Sequence, residues 1–250
     1  MTRFALAAAF ALAAAPATAQ IVTEPLAWEV DGTAFEGVVA RNAGLETPRG
    51  VVVLVHDWNG IDDYERTRAR MLGAEGLTAV AVDLFGRDAV LEGVEDYRRE
   101  TSALYADRDA FRARLTAALE AAAELPGAEE GMVMMGYCFG GAAVLEAARM
   151  GADLQGFVSF HRGLSTPEGQ GWGDAAGGPV LLLHGSADPV SGMGDLAALL
   201  DELQGADLPH RAEVYGGALH SFTVWGSSDH DPEADRRSLQ ALTRFLDEVL

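Results

Sequence analysis

Two rhythms of apolar residues alternate along the chain. Gly50–Val55 and Thr78–Val82 are short unbroken apolar runs, as expected of strands buried on both faces. Gly131–Met135, Leu154–Phe160, Val180–Leu183 and Ala212–Tyr215 also read as strands. Between them lie stretches with the 3.6-residue period of helices. Asp62–Ala74 has Asp62 or Asp63 as its cap and Gly76 beyond its end. Asp107–Leu125 spaces Phe111, Leu115, Leu119 and Ala122 along one face, and Gly140–Met150 and Asp195–Gln204 follow later. The last helix, Glu233–Leu250, carries the stripe Leu239, Leu242, Leu246 and Val249. Near the start, Leu26–Val30 and Ala34–Ala40 flank Asp31-Gly32, a hairpin signal. Residues 86–105 read as irregular and charged. Repeated strand–helix units with apolar strands predict an α/β domain, a mostly parallel twisted sheet with helices on both faces. In such sheets the chemistry sits just beyond the carboxyl ends of the strands.

Residues 1–19 do not fit that rhythm. Arg3 precedes an apolar stretch from Phe4 to Ala15, too short to span a bilayer, and Ala17-Thr18-Ala19 is a small-residue cleavage site. They read as a signal peptide, leaving residues 20–250 as one exported domain, periplasmic or secreted. Half of the chain is hydrophobic (49%) and 22% is charged, with a formal net charge of −20. Such acidity argues against nucleic acid or an anionic membrane as partner, since phosphate binding needs clustered cations. A single cysteine excludes an intramolecular disulfide. In an oxidising compartment, a lone thiol is either buried and inert or kept for chemistry.

Its surroundings point to chemistry. Gly136-Tyr137-Cys138-Phe139-Gly140 has the form Gly-x-nucleophile-x-Gly, between an apolar strand and a small-residue helix. Such an elbow strains the nucleophile's backbone and needs glycines two positions either side. A thiol at a helix N-terminus also feels the positive end of that helix, which favours the thiolate. The N–H of Phe139 would point at a developing oxyanion. Asp188 follows strand Val180–Leu183 and is placed to orient a histidine, or to cap the next helix. His220 follows strand Ala212–Tyr215 and is the candidate general base. The order nucleophile, acid, base is that of the α/β-hydrolase fold. His56 and His184 stand at strand ends, where structural hydrogen bonds are expected. His161, after strand Leu154–Phe160, has either that role or a place on the pocket wall. After strand Gly50–Val55 comes His56-Asp57-Trp58-Asn59-Gly60, where the second oxyanion donor of this fold arises, here the N–H of Trp58. Asp57 reads as a carboxylate near the nucleophile, or as a helix cap or partner of Arg87.

Five segments together carry a resemblance: His56–Gly60, Asp83–Arg87, Gly136–Gly141, His184–Asp188 and His220–Phe222. They resemble the dienelactone hydrolase family, from about Leu26 to Leu250, with a cysteine in the elbow where serine esterases have serine. The resemblance implies a Cys-His-Asp triad of Cys138, His220 and Asp188, cleaving a small ester or lactone through a thioester. It implies that a carboxylate at Asp57 helps activate a cysteine held neutral until substrate binds. It also implies that Arg87, with an arginine four residues after the histidine, binds a substrate carboxylate. This chain has aspartate where the best-known members have glutamate, and Val224 at the second arginine position. His161 and Ser221 are further candidate substrate contacts. No metal or cofactor is expected, and the protein is expected to be a monomer or small homo-oligomer. Two other readings stay open, a non-catalytic ligand-binding protein of the same fold and a redox-reactive thiol.

Overall fold

The computed structural model describes residues 20–162, 164–173 and 177–250. The expected signal peptide lies outside these residues. Eight strands form one sheet in the order β1-β2-β4-β3-β5-β6-β7-β8. They are β1 (Ile21–Val30), β2 (Thr33–Asn42), β3 (Val51–Val55), β4 (Thr78–Val82), β5 (Met132–Tyr137), β6 (Gly156–Phe160), β7 (Val180–Gly185) and β8 (His210–Tyr215). The helices are α1 (Asp63–Ala74), α2 (Val94–Ala106), α3 (Arg108–Ala123), α4 (Phe139–Arg149), α5 (Met193–Gly205) and α6 (Pro232–Val249). Only β1–β2 and β2–β4 pair antiparallel; the rest of the sheet is parallel. The hairpin turns at Asp31 and Gly32, both at positive φ (49° and 79°), as a two-residue turn matching strand twist requires.

Alternation along β3 divides the core. Val51, Val53 and Val55 pack with α3 and α4 residues such as Phe111, Leu115 and Val144. Val52 and Leu54 face the opposite layer with Leu72 of α1 and Leu242 and Phe245 of α6. Asp62 caps α1 by accepting the Tyr64 N–H at 2.6 Å, and the Glu65 side chain returns to the Asp62 N–H at 3.0 Å, a capping box.

One expectation fails. Much of the segment expected to be irregular is helix α2, with Thr101 and Leu104 buried. Five of its thirteen residues are charged and its N-cap, Gly93, makes no side-chain cap bond, so neither periodicity nor capping announces it. Packing supplies what the local sequence lacks. Among the described residues, no helix is long and apolar enough to cross a membrane.

Candidate active site

The carboxyl ends of five adjacent parallel strands converge. β3 leads to Asp57, β5 to Cys138, β6 to His161 and Arg162, β7 to Asp188 and β8 to His220. Cys138 is the N-cap of α4 at φ 48°, ψ −110°, a conformation costly for a side chain with a Cβ. The strain persists because the flanking glycines interlock. A Cβ on Gly136 would lie 2.3 Å from the Gly140 backbone, and one on Gly140 would lie 2.3 Å from the Val55 carbonyl oxygen. Strand, turn and helix touch backbone to backbone there, which fixes the direction of the Cys138 side chain.

His220 Nε2 lies 3.2 Å from Cys138 Sγ, and its Nδ1 lies 2.8 Å from Asp188 Oδ2. The other carboxylate oxygen of Asp188 accepts the Val190 and Ser191 N–H groups at 2.7 and 3.0 Å. Burial opposes the Asp188 charge, but the His220 contact and these amides outweigh it and hold the carboxyl below its usual range. An ionised Asp188 keeps the proton of neutral His220 on Nδ1, leaving Nε2 free to take one from sulfur.

Asp57 lines the same pocket as the thiol, and its charge acts on the sulfur despite the missing methylene. Its Oδ1 accepts the Trp58 N–H at 2.6 Å, so in this state that amide is occupied by a carboxylate. Its own N–H donates to Glu65 at 3.2 Å, which ties the end of β3 to the start of α1. The Phe139 N–H, first in α4, has no acceptor among the described residues.

Two influences compete at Cys138. Burial, the larger, and the adjacent Asp57 charge push the thiol well above its ordinary pKa; Arg162, with an N–H donor 3.6 Å from Sγ, pulls the other way. The expected thiolate preference from the helix N-terminus does not prevail, and the resting sulfur is a neutral thiol. Burial also raises Asp57, against the Trp58, Cys138, His220 and Arg162 contacts. Alkylation by iodoacetamide should therefore be at least about ten-fold slower at pH 7 than for a free cysteine, since each unit of pKa removes ten-fold of thiolate. Its rate should still be rising through pH 9. A plateau below pH 8 would show a pre-formed thiolate.

The cavity over Cys138 holds about 400 Å³ and is walled by Asp57, Trp58, Phe139, His220 and Ser221, with Arg98, Thr101, Ser102 and Tyr105 from α2. Ser221 is where the sequence reading puts it. Arg87 is not: its side chain is over half exposed beside Asp88, 3.7 Å away, while its N–H binds the Ala34 carbonyl on the rim of β2. Val224, the other clamp position, packs into the α1–α6 core layer. The cations on the cavity are instead Arg98 and Arg162, which sequence reasoning passed over; Arg162, two residues past β6, had a strand end as its signal. His161 does not line the cavity either. It sits behind His220, edge-on at 5.1 Å, with Nε2 3.2 Å from Thr223 Oγ1. Burial and His220 hold its imidazole neutral. His56, in the core, accepts the Leu84 N–H at 3.2 Å through Nε2 and contacts the Asp57 carbonyl through Nδ1, so it spans two strand ends. Among the described residues no group of three or more His, Cys, Asp or Glu side chains could hold a metal ion.

Comparison with known proteins places this geometry. The model of the dienelactone hydrolase family matches residues 35–250. A dienelactone hydrolase-like promiscuous phosphotriesterase from metagenomic libraries is 30% identical, with a TM-score of 0.84 over 92% of this chain and 98% of that one. A putative dienelactone hydrolase from Klebsiella pneumoniae superposes at a TM-score of 0.82 over 91% and 99% of the two chains, at 20% identity. Esterase 2 of Thermogutta terrifontis, phosphorylated by paraoxon, shares 17% identity and a TM-score of 0.60 over 93% and 95%. None of the curated proteins matches the chain. The sheet order, elbow and neighbours are those of the α/β-hydrolase fold.

Proposed function

Because the chain belongs to the dienelactone hydrolase family, we propose that this hydrolase cleaves small esters or lactones by acyl transfer through Cys138. The observation that carries the reading is the unbroken relay from Cys138 Sγ to His220 at 3.2 Å and on to Asp188 at 2.8 Å.

The relay also suggests how a neutral thiol becomes a nucleophile. A substrate carbonyl oxygen entering between the Phe139 and Trp58 amides competes with Asp57 for the Trp58 N–H. Losing that bond removes a contact that stabilises the carboxylate, so Asp57 becomes a stronger base beside the S–H. The proton leaves sulfur for His220 Nε2, directly or by way of Asp57, and Sγ bonds to the carbonyl carbon. The negative charge collects on oxygen between the two amides, each such donor being worth about 3 kcal/mol in the transition state. Collapse expels the alcohol oxygen, which takes a proton from His220, and leaves a thioester. Water, deprotonated by His220, then attacks the thioester and releases acid and thiol. Arg162 faces the sulfur and offsets its charge throughout. A redox cycle has less support, because Cys138 is the only cysteine in the chain and none can resolve a sulfenic acid.

The N-terminal segment supports export, so we place the mature protein in the periplasm or outside the cell, acting on a small-molecule ester or lactone as a monomer or small homo-oligomer. The relative's phosphotriesterase activity makes an activated aryl phosphotriester a sensible second substrate, since sulfur attack at phosphorus uses the same two amides. Turnover of short aryl esters and lactones is the test. His220→Ala should lower kcat by roughly 10²- to 10⁴-fold, the range of general acid–base assistance, with Asp188→Asn falling within it. Wild-type rates in both variants would end the triad assignment.

A further inference from the structure

The cavity over Cys138 does not end at its arginine. A second chamber of about 300 Å³ adjoins it, and the two share Tyr105, Arg162 and Val190 as lining residues. Behind that boundary the second chamber is lined by Arg108 and Arg149, with Ser165 and Ser191 beside them. The charges here are not balanced. Four guanidinium groups, those of Arg108, Arg112, Arg149 and Arg162, face three carboxylates, one of which, Asp57, belongs to the catalytic cavity. Glu146 takes Arg108 and Arg112 at 3.3 and 2.6 Å, and Glu202 takes the Trp172 indole N–H at 3.0 Å and the Thr166 hydroxyl. Arg162 forms no close ion pair among the described residues, although the Asp57 carboxylate on the same cavity attracts it. Arg149 forms none either, and is buried at 4% exposure with its guanidinium 4.5 Å from the Trp172 ring centre. One Arg149 N–H donates to Thr166 Oγ1 at 3.1 Å, while Nε, fully shielded, has no partner among the described residues.

An incompletely satisfied, buried guanidinium is costly unless something anionic completes it. It is more conspicuous in a chain of net charge −20, whose basic residues are all arginine and mostly paired with carboxylates. A planar guanidinium is the side chain suited to gripping a carboxylate with two parallel bonds. We infer that the second chamber is a binding subsite for an anionic tail, a carboxylate several atoms from the scissile carbonyl, held by Arg149, Arg108 and Arg162. The subsite includes neither Arg87 nor Val224, the positions of the family's clamp. It rests on the hydrolase reading for its place in catalysis, though not for its existence.

The probes are aryl monoesters of succinic, glutaric and adipic acids beside neutral aryl esters of equal chain length. The wild type should favour the acidic series by ten-fold or more in kcat/KM, mostly through KM, with an optimum at one chain length. Arg149→Met should bring the ratio of acidic to neutral kcat/KM down towards one. No preference in the wild type, or equal loss on both series in the variant, would overturn the subsite. Should that variant fail to fold, the wild type still decides the matter. Free glutarate should inhibit neutral-ester hydrolysis competitively at concentrations at least ten-fold below those of 1,5-pentanediol, and equal inhibition would overturn it. If the wild type hydrolyses no ester, the acyl-transfer reading fails instead. Calorimetry of glutarate against 1,5-pentanediol then tests the chamber alone, and equal or absent binding of the two would overturn it.

Discussion

Replacing Cys138 by alanine is expected to lower kcat/KM for a short activated aryl ester by about 10⁴-fold or more, the scale on which removal of a covalent nucleophile acts. The size follows from the division of labour in the site. His220, Asp57 and Arg162 all act on the sulfur, so without it their contributions vanish together rather than adding. What survives is the stabilisation that the Phe139 and Trp58 amides give to attack by water, which is why the residual rate should still exceed the uncatalysed one. Fold and stability should change little, since the smaller side chain fits the same buried position. Hydrolysis by Cys138→Ala within ten-fold of wild type would mean that the sulfur does not bond to the substrate.

The second large effect is structural in origin. Gly140→Ala should cost about 3 kcal/mol and roughly 6–12 °C in Tm, the upper end for overpacking, because the added methyl meets backbone atoms rather than a side chain that can turn aside. The nearest atoms are the Val55 oxygen at 2.3 Å, the His56 oxygen at 2.8 Å and the Val55 carbonyl carbon at 2.9 Å. Relief requires α4 to move away from β3. That shifts Cys138 relative to both His220 and the Trp58 amide, and a displacement near 1 Å in such a site costs about 10²-fold in rate. Gly194→Ala is the control. Its Cβ meets nothing within 4 Å and it lies in α5, so the substitution should leave activity intact and raise stability by about 0.4–1 kcal/mol. Thermal unfolding and ester turnover check both. Wild-type stability and activity in Gly140→Ala would show that the backbone approach does not set the elbow.

Much of this was legible in the sequence, for identifiable reasons. Unbroken runs such as Val51–Val55 admit few readings other than a strand covered on both faces, so the parallel sheet followed once the helices between the strands were recognised. The elbow was legible because glycine at 136 and 140 leaves its mark in the sequence itself. Asp188 and His220 were legible as polar residues directly after strands, and the structure brings both to Cys138. The losses come from properties that depend on tertiary context. Helix α2 is held by packing, so its charged sequence reads as loop, and with it went Arg98 and Tyr105 on the cavity wall. Arg87 was placed by resemblance, yet its position on the rim of the sheet directs the side chain to solvent. The helix end alone points to a thiolate, whereas the resemblance implies a cysteine held neutral, the direction in which burial and Asp57 push it. Burial and Asp57 come from β3 and the surrounding walls, and no local motif reports them.

The central claim, that Cys138 carries the acyl group, is tested most directly by trapping. Enzyme mixed with an activated aryl ester and quenched in acid within the first turnover should gain the mass of one acyl group. After digestion, that mass should map to the peptide containing Cys138, be released by hydroxylamine, and be missing from Cys138→Ala. An acyl group on any other residue, or ester turnover with no covalent adduct at any quench time, would contradict it.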